Sequence, residues 1–405
     1  MMQKSVTRSV SFVVFVITLV VVGLNYVSLF FPALIVTSIT DFEGNVDPLE
    51  PGVWVTPILI ANISIFCFFI LYYKQKLPNL VLRLIKFILN FEVSKKWTMI
   101  VIVIILGGYI AFTVGELDDY EGDIWTDFSN IEKMIEEFPF VEGIGNLPVV
   151  YVQNFLLYTS HTVFHDVKVI PFVASISLLL LTYFFTVKIC NKRFSGVVAM
   201  LVLLQSHTFL RYDTVASYSY FWVLFYLLSL YLVYKKWYLS HIAFILSIFS
   251  KLLTLAFLPM VLFFAYRVEL AQKNKIRIII LYIVIIGTIT SILFVGIEAK
   301  ILASTAFDYV DFWNGFTTLS YQLRFDVLVV LFLLPLVVGL FLKSRKGTKI
   351  ADSISILIMG VLLSVPLLAG FTDYDAHQYR YVPLLVFFAI GAGVLFAKNH
   401  SDRLE

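Results

Sequence analysis

Six carboxylates crowd into the fourteen residues GELDDYEGDIWTDF, positions 115–128: Glu116, Asp118, Asp119, Glu121, Asp123 and Asp127. Crowding of this kind can raise one carboxyl's pKa by mutual repulsion and leave a neighbour ionised as a base. It can also supply oxygen ligands to a hard divalent cation, with Glu121 and Asp123 as the metal candidates. A solvated acidic loop is the plain alternative. Residues of the opposite kind recur elsewhere: His207, Arg211 and Asp213 in QSHTFLRYD, Lys251 in a short turn, and His377 with Arg380 in TDYDAHQYRY. A guanidinium binds phosphate through paired N–H groups and an ammonium acts as a point charge. An ionisable group near a membrane is a functional candidate by default, whereas snorkelling of a long side chain to the interface needs no function.

The elements that carry these residues are apolar. Sixty per cent of the 405 residues are hydrophobic, 14% are charged and the mean hydropathy is +0.92, more than a water-soluble core of this size could bury. The continuous apolar runs indicate helices rather than the alternating strands of a barrel. The expected fold class is therefore all-α, a polytopic integral membrane protein of about twelve transmembrane helices. The spans fall near 9–36, 53–73, 97–114, 168–189, 194–210, 214–234, 237–250, 252–266, 276–297, 325–342, 351–370 and 380–397. The first is too long for a signal peptide and lacks a small-residue cleavage site. Cys67 lies inside a span and Cys190 at the basic end of another, so no disulfide is expected.

With both termini in the cytoplasm, 23 of the 30 basic residues lie inside and 22 of the 27 acidic residues outside. This is the positive-inside pattern. Residues 79–91, NLVLRLIKFILNF, read as a cytoplasmic interfacial helix or as a linker. The outer stretch 37–52 holds Asp41, Glu43, Asp47 and Glu50 as solvated acids. In the long outer loop 115–166, Ser129 and Glu132 have capping-box spacing before Ile131, Met134, Ile135 and Phe138, and Pro139 stops the helix. The apolar run Leu147–Tyr158 is too short to cross and reads as a second juxtamembrane segment.

The order of these features resembles the GT-C fold glycosyltransferases that use a polyprenyl-phosphate sugar, a group that includes protein O-mannosyltransferases and lipid A aminoarabinose transferases. Asp118-Asp119-Tyr120 resembles the family's acidic pair with its aromatic neighbour. Asn146-Leu-Pro148 through Phe164 resembles the segment leading to the next span, and Lys188–Arg193 with Phe194 and Gly196 its basic inner turn. Arg211-Tyr-Asp213, Ser250-Lys251 with Pro259, and His377, Arg380-Tyr381 and Pro383 resemble its later outer turns. Residues 97–397 follow the plan, most closely over 97–270. They would form a GT-C-like domain after an amino-terminal hairpin and interfacial helix, residues 1–96. The pair is Asp-Asp where Asp-Glu is common, and no WWDYG-like signature is present.

The resemblance implies an inverting transfer of a sugar from a polyprenyl-phosphate donor to a protein, lipid or glycan hydroxyl on the non-cytoplasmic side of a plasma or endoplasmic reticulum membrane. Asp118 or Asp119 would be the base. Lys251, Arg380, Arg211 and His377 would hold the donor phosphate, and Tyr120, Asp213 and Tyr381 would contact substrate. No cofactor is required, a divalent ion remaining optional, and membrane lipids surround the chain. No water-exposed basic and aromatic domain is available to nucleic acid. Twelve spans also suit a transporter, although no internal repeat is evident. A catalytically silent subunit of an envelope membrane complex, docked through the hairpin, is the third class.

Overall fold

Described residues in the computed structural model are 2–34, 47–125, 127–138, 150–296, 307–371 and 377–397. They are helical, with no strand among them. Seven helices are long and apolar enough to cross a membrane: Arg8–Phe30, Val55–Tyr73, Lys95–Leu117, Val169–Cys190, Val327–Arg345, Ile350–Ala369 and Gln378–Leu395. The protein is thus a multi-pass helical membrane protein. Four further apolar helices are shorter, at Arg193–Leu204, Phe221–Lys235, Trp237–Ser250 and Leu252–Arg267. At about 1.5 Å per residue these fall short of a roughly 30 Å hydrocarbon layer. The apolar run read as 194–210 is broken at Gln205–Ser206, and 252–266 opens with a 3-10 stretch, Leu252–Phe257, ahead of Pro259. Apolar composition continues through these breaks, which is why the sequence reads them as full spans.

The chain divides into two compact units. One comprises residues 1–98, 183–208 and 306–405, the other residues 99–182 and 209–305.

In the first unit, α1 (Met2–Phe30) packs on α14 (Tyr309–Gln322), α15 (Val327–Arg345) and α16 (Ile350–Ala369). Its buried side interleaves small polar residues, Ser11, Thr18, Asn25 and Ser28, with Val14, Val21, Val22, Tyr26 and Leu29, while Phe12, Val16, Val20 and Leu24 point outward. Small polar residues in the contact and apolar ones on the exposed face are expected where the surroundings are as apolar as the core and close packing with hydrogen bonds holds helices together. Ser11 donates to Asp352 Oδ2 (2.8 Å), and Ser320 donates to Asn25 Oδ1 (2.7 Å).

Pro335 inside α15 has no N–H for the carbonyl of Leu331 one turn earlier. Asn62 of α2 (Val55–Tyr73) donates to that carbonyl instead (3.3 Å). Beside it the Tyr26 hydroxyl donates to Val330 O (2.9 Å) and accepts from Leu334 N (3.4 Å). The last helix, α17 (Val382–Leu395), is apolar on all sides and buried along nearly its whole length, as a central helix must be. It packs closely on α8 (Arg193–Leu204), and a Cβ on Gly393 would come within 2.6 Å of Ser195 O. The segment 79–91 forms α3 (Asn79–Asn90).

The second unit holds most of α4 (Lys95–Thr113), the loop helices α5 (Phe128–Glu137) and α6 (Tyr151–Phe164), and the first part of α7 (Val169–Cys190). The short α9 (His207–Arg211) reaches its end inside this unit. An antiparallel pair follows, α10 (Phe221–Lys235) on α11 (Trp237–Ser250), then α12 (Leu258–Arg267) and α13 (Gln272–Gly296). Helix α5 begins two residues earlier than its sequence signal, with Asp127 at the N-cap in place of Ser129 and no side-chain cap bond. The capping box is therefore not formed. Glu132 instead accepts the Tyr120 hydroxyl (2.9 Å). The apolar face of α5 is as expected: Phe128 is buried with Leu157 and Ala216, and Ile131, Met134 and Ile135 pack against them. Pro139, Asn146, Leu147 and Pro148, like Asp41 and Glu43, lie outside the described residues. Cys67 and Cys190 are both free.

Candidate functional site: the acidic loop

Helix α4 ends at Thr113 and tightens into a 3-10 turn, Val114–Leu117. Asp118 and Asp119 follow as exposed bends, and a second 3-10 turn covers Glu121–Asp123. A loop this acidic repels itself and needs ties. The first is Lys168, just before α7, which is only 6% exposed. Its ammonium donates to the backbone carbonyls of Glu116 (2.6 Å) and Asp119 (2.5 Å), so one buried cation pins both sides of the Asp118-Asp119 pair. The second tie is Glu121, 3% exposed, whose two oxygens accept the backbone N–H groups of Ala216 (2.8 Å) and Ser217 (2.9 Å). The third is Asp127, which accepts from the Tyr218 hydroxyl (2.7 Å).

Between the loop and helices α5 and α6 lies a cavity of about 620 Å³. Asp118, Asp119, Tyr120, Glu121, Glu132, Glu136, His161, His165, Asp166 and Lys168 are among its lining. His165 ends α6 in the left-handed region, φ 57°, as the C-cap of that helix. A non-glycine residue there carries a conformational cost, and such residues concentrate at functional sites. Asp118 and Asp119 thus line a chamber that two imidazoles, His161 and His165, also line. No group of three or more His, Cys, Asp or Glu side chains suited to a metal ion is found among the described residues. Glu121 in particular has both oxygens turned to backbone amides.

Arg211, Tyr212 and Asp213 border the loop differently from one another. The Arg211 guanidinium lies over the Trp125 ring, 5.4 Å from its centroid, and 5.8 Å from that of Tyr212. Trp125 meets Tyr212 (5.3 Å) and Tyr218 edge-on (5.2 Å), completing an aromatic cluster beneath the cation. Asp213 is 1% exposed and turned inward. Its Oδ2 accepts the Tyr109 hydroxyl (2.7 Å), and its backbone carbonyl accepts Ser175 Oγ (2.6 Å). Burial, reinforced by the Glu116 charge and partly offset by the Tyr109 hydrogen bond, pushes its carboxyl up to about 7. Asp213 is therefore a buried support of the loop and not a wall of the chamber.

Lys251 caps α11 in extended backbone conformation, its ammonium 5.7 Å from the Trp222 ring centroid. Neither Lys251 nor Arg211 lines the acidic cavity, where the cation is Lys168. His377, Arg380 and Tyr381 belong to the other compact unit. There His377 stacks on Tyr379 (5.9 Å), Arg380 Nε donates to the Tyr379 hydroxyl (3.3 Å), and Tyr381 is buried. The same unit contains a polar cluster absent from the sequence reading: Asp326 accepts from Ser206 Oγ (2.6 Å) and Thr208 Oγ1 (2.5 Å).

Lys168 was also absent from it. Its signal was present, since it is one of seven basic residues on the side rich in acids, but its acceptors are backbone carbonyls that no side-chain motif records.

The fold and the loop define a class, a multi-pass helical membrane protein with an ordered acidic chamber at the end of one long apolar helix. No family model, curated protein or solved structure matches the chain.

Proposed function

We propose that the chain is an inverting membrane glycosyltransferase of the GT-C type, moving a sugar from a polyprenyl-phosphate donor to an acceptor hydroxyl on the non-cytoplasmic side of the membrane. The observation that carries this reading is the Asp118-Asp119 pair, exposed to a cavity of about 620 Å³ with its backbone held by the Lys168 ammonium. Positioned carboxylates on a fixed backbone are what general-base chemistry requires.

In the proposed step, Asp118 or Asp119 takes the proton from the acceptor hydroxyl. The hydroxyl oxygen attacks the anomeric carbon, and the bond from that carbon to the phosphate oxygen breaks. The electron pair leaves on the lipid phosphate, so the anomeric configuration inverts. The chamber's excess of carboxylates suits the neutral acceptor, not an anionic donor. Within the same unit the donor phosphate falls to Lys251 and Arg211, whose positive charge would stabilise the leaving group.

Transfer is measured from a synthetic polyprenyl-phosphate sugar with the purified chain in lipid. Asp118→Asn or Asp119→Asn, whichever removes the base, should lower turnover by about 10²- to 10⁴-fold with donor binding retained. Lys251→Ala and Arg211→Ala should weaken donor binding. Full transfer by the double Asp118→Asn, Asp119→Asn variant, with the protein monodisperse, overturns the reading. Uptake of a solute into sealed vesicles without any glycan change would favour a transporter.

A further inference from the structure

A second cavity, in the first compact unit, takes no part in the chemistry above. It holds about 540 Å³ and is walled by α2, α3, α15 and α17, with Phe69, Phe332, Leu336 and Phe388 among its apolar lining. That volume falls in the range of sites that enclose one ligand. Two ammonium groups, Lys343 and Lys346, line it as well, three residues apart and so on one face of the chain. Lys343 donates to Ala397 O (2.7 Å), which fixes where its charge sits.

The helix α3 explains how such a groove would open. Its Ile85 and Leu89 line the cavity, while Leu80, Leu84 and Phe87 are exposed on a second apolar stripe and Arg83 and Lys86 are exposed beside them. A short helix with exposed apolar and basic faces lies in the headgroup region of a bilayer. The groove it roofs therefore opens where lipid phosphates are found, with basic residues at its rim. Basic pockets between membrane helices recognise anionic headgroups through the same complementarity.

We propose that this groove binds one anionic phospholipid, with an acyl chain along the aromatic wall and the phosphate at Lys343 and Lys346. Bound there, the lipid would join the amphipathic helix to α2, α15 and α17.

The test uses the full chain, delipidated in detergent and titrated with dioleoyl phosphatidylglycerol or dioleoyl phosphatidylcholine, with adducts counted by native mass spectrometry. One phosphatidylglycerol should be retained at least fivefold over phosphatidylcholine. Lys346→Gln, at an exposed position, should cut that preference severalfold, and Lys343→Gln with Lys346→Gln should abolish it. The corresponding double arginine variant should keep it. Ala392→Trp, which fills the groove, should remove the adduct while gel filtration still shows a monodisperse protein. Equal retention of the two lipids by the unmodified chain overturns the proposal, as does an adduct that survives Ala392→Trp. A lipid-free dimer that Ala392→Trp dissociates also overturns it, by making the occupant a second copy. No readout depends on transferase activity.

Discussion

Asp213 shows how burial redirects a residue whose type suggests substrate contact. Its neighbours in sequence, Arg211 and Tyr212, sit in an aromatic cluster with Trp125, whereas its own carboxyl turns inward to Tyr109. With a folded pKa of about 7 against an ordinary 3.8, the folded protein holds a proton that the unfolded chain has released. Between those two values the folded state binds more protons, so stability falls as pH rises through the window and is level on either side. The melting temperature in detergent should therefore decline from pH 4.5 to pH 7.5. Asp213→Asn, which keeps the shape and cannot ionise, should flatten that decline. An unchanged slope in the variant would assign the titration to another group.

At the scale of the helix, Pro335 and Asn62 form a compensating pair. Proline removes a donor from α15, and the amide of Asn62 supplies one to the orphaned carbonyl of Leu331. The value of that bond is about 1 kcal/mol, and it depends on the proline. Asn62→Leu should lower unfolding stability by about this amount. In a Pro335→Ala background the restored N–H can reach Leu331 O, so the same substitution should cost less than half as much. The coupling is read from a double-mutant cycle in mixed micelles. Equal costs in both backgrounds would mean that Asn62 acts through its other bond, to Ile58 O (2.8 Å). The acidic loop is tied in a related way: Lys168 and Glu121 bond to backbone, so their loss would loosen the loop without removing any side-chain partner.

Over the whole molecule, the net charge of +3 conceals a separation of signs along the sequence, bases and acids falling in different segments between the apolar runs. The positive-inside rule therefore predicts the acidic chamber outside and α3 inside. In a Cys67→Ser background, a cysteine at Asp123 should react with a membrane-impermeant maleimide in intact cells. A cysteine at Lys76 should react only after permeabilisation. The reverse pattern would invert the topology and put the chamber in the cytoplasm.

The sequence by itself determined the class and the positions of the long helices, because apolarity sustained over some 20 residues is a local property that needs no partner to be read. The end of α2, the helix of α3 and the apolar face of α5 follow from the same local periodicities. It also located the acid-rich loop and its aspartate pair. Only the tertiary structure decided which carboxylates are used up and which face the chamber. Glu121 is spent on amides 95 and 96 residues away, Asp213 on a hydroxyl 104 residues away, and Lys168 on carbonyls about fifty residues earlier. Likewise the capping-box spacing at Ser129 gave way to Asp127 as the N-cap, and Glu132 went to Tyr120. The physical reason is common to all of them. A backbone N–H or C=O is offered by almost every residue, so side-chain type and spacing cannot say which one a buried charge will find until the chain has folded.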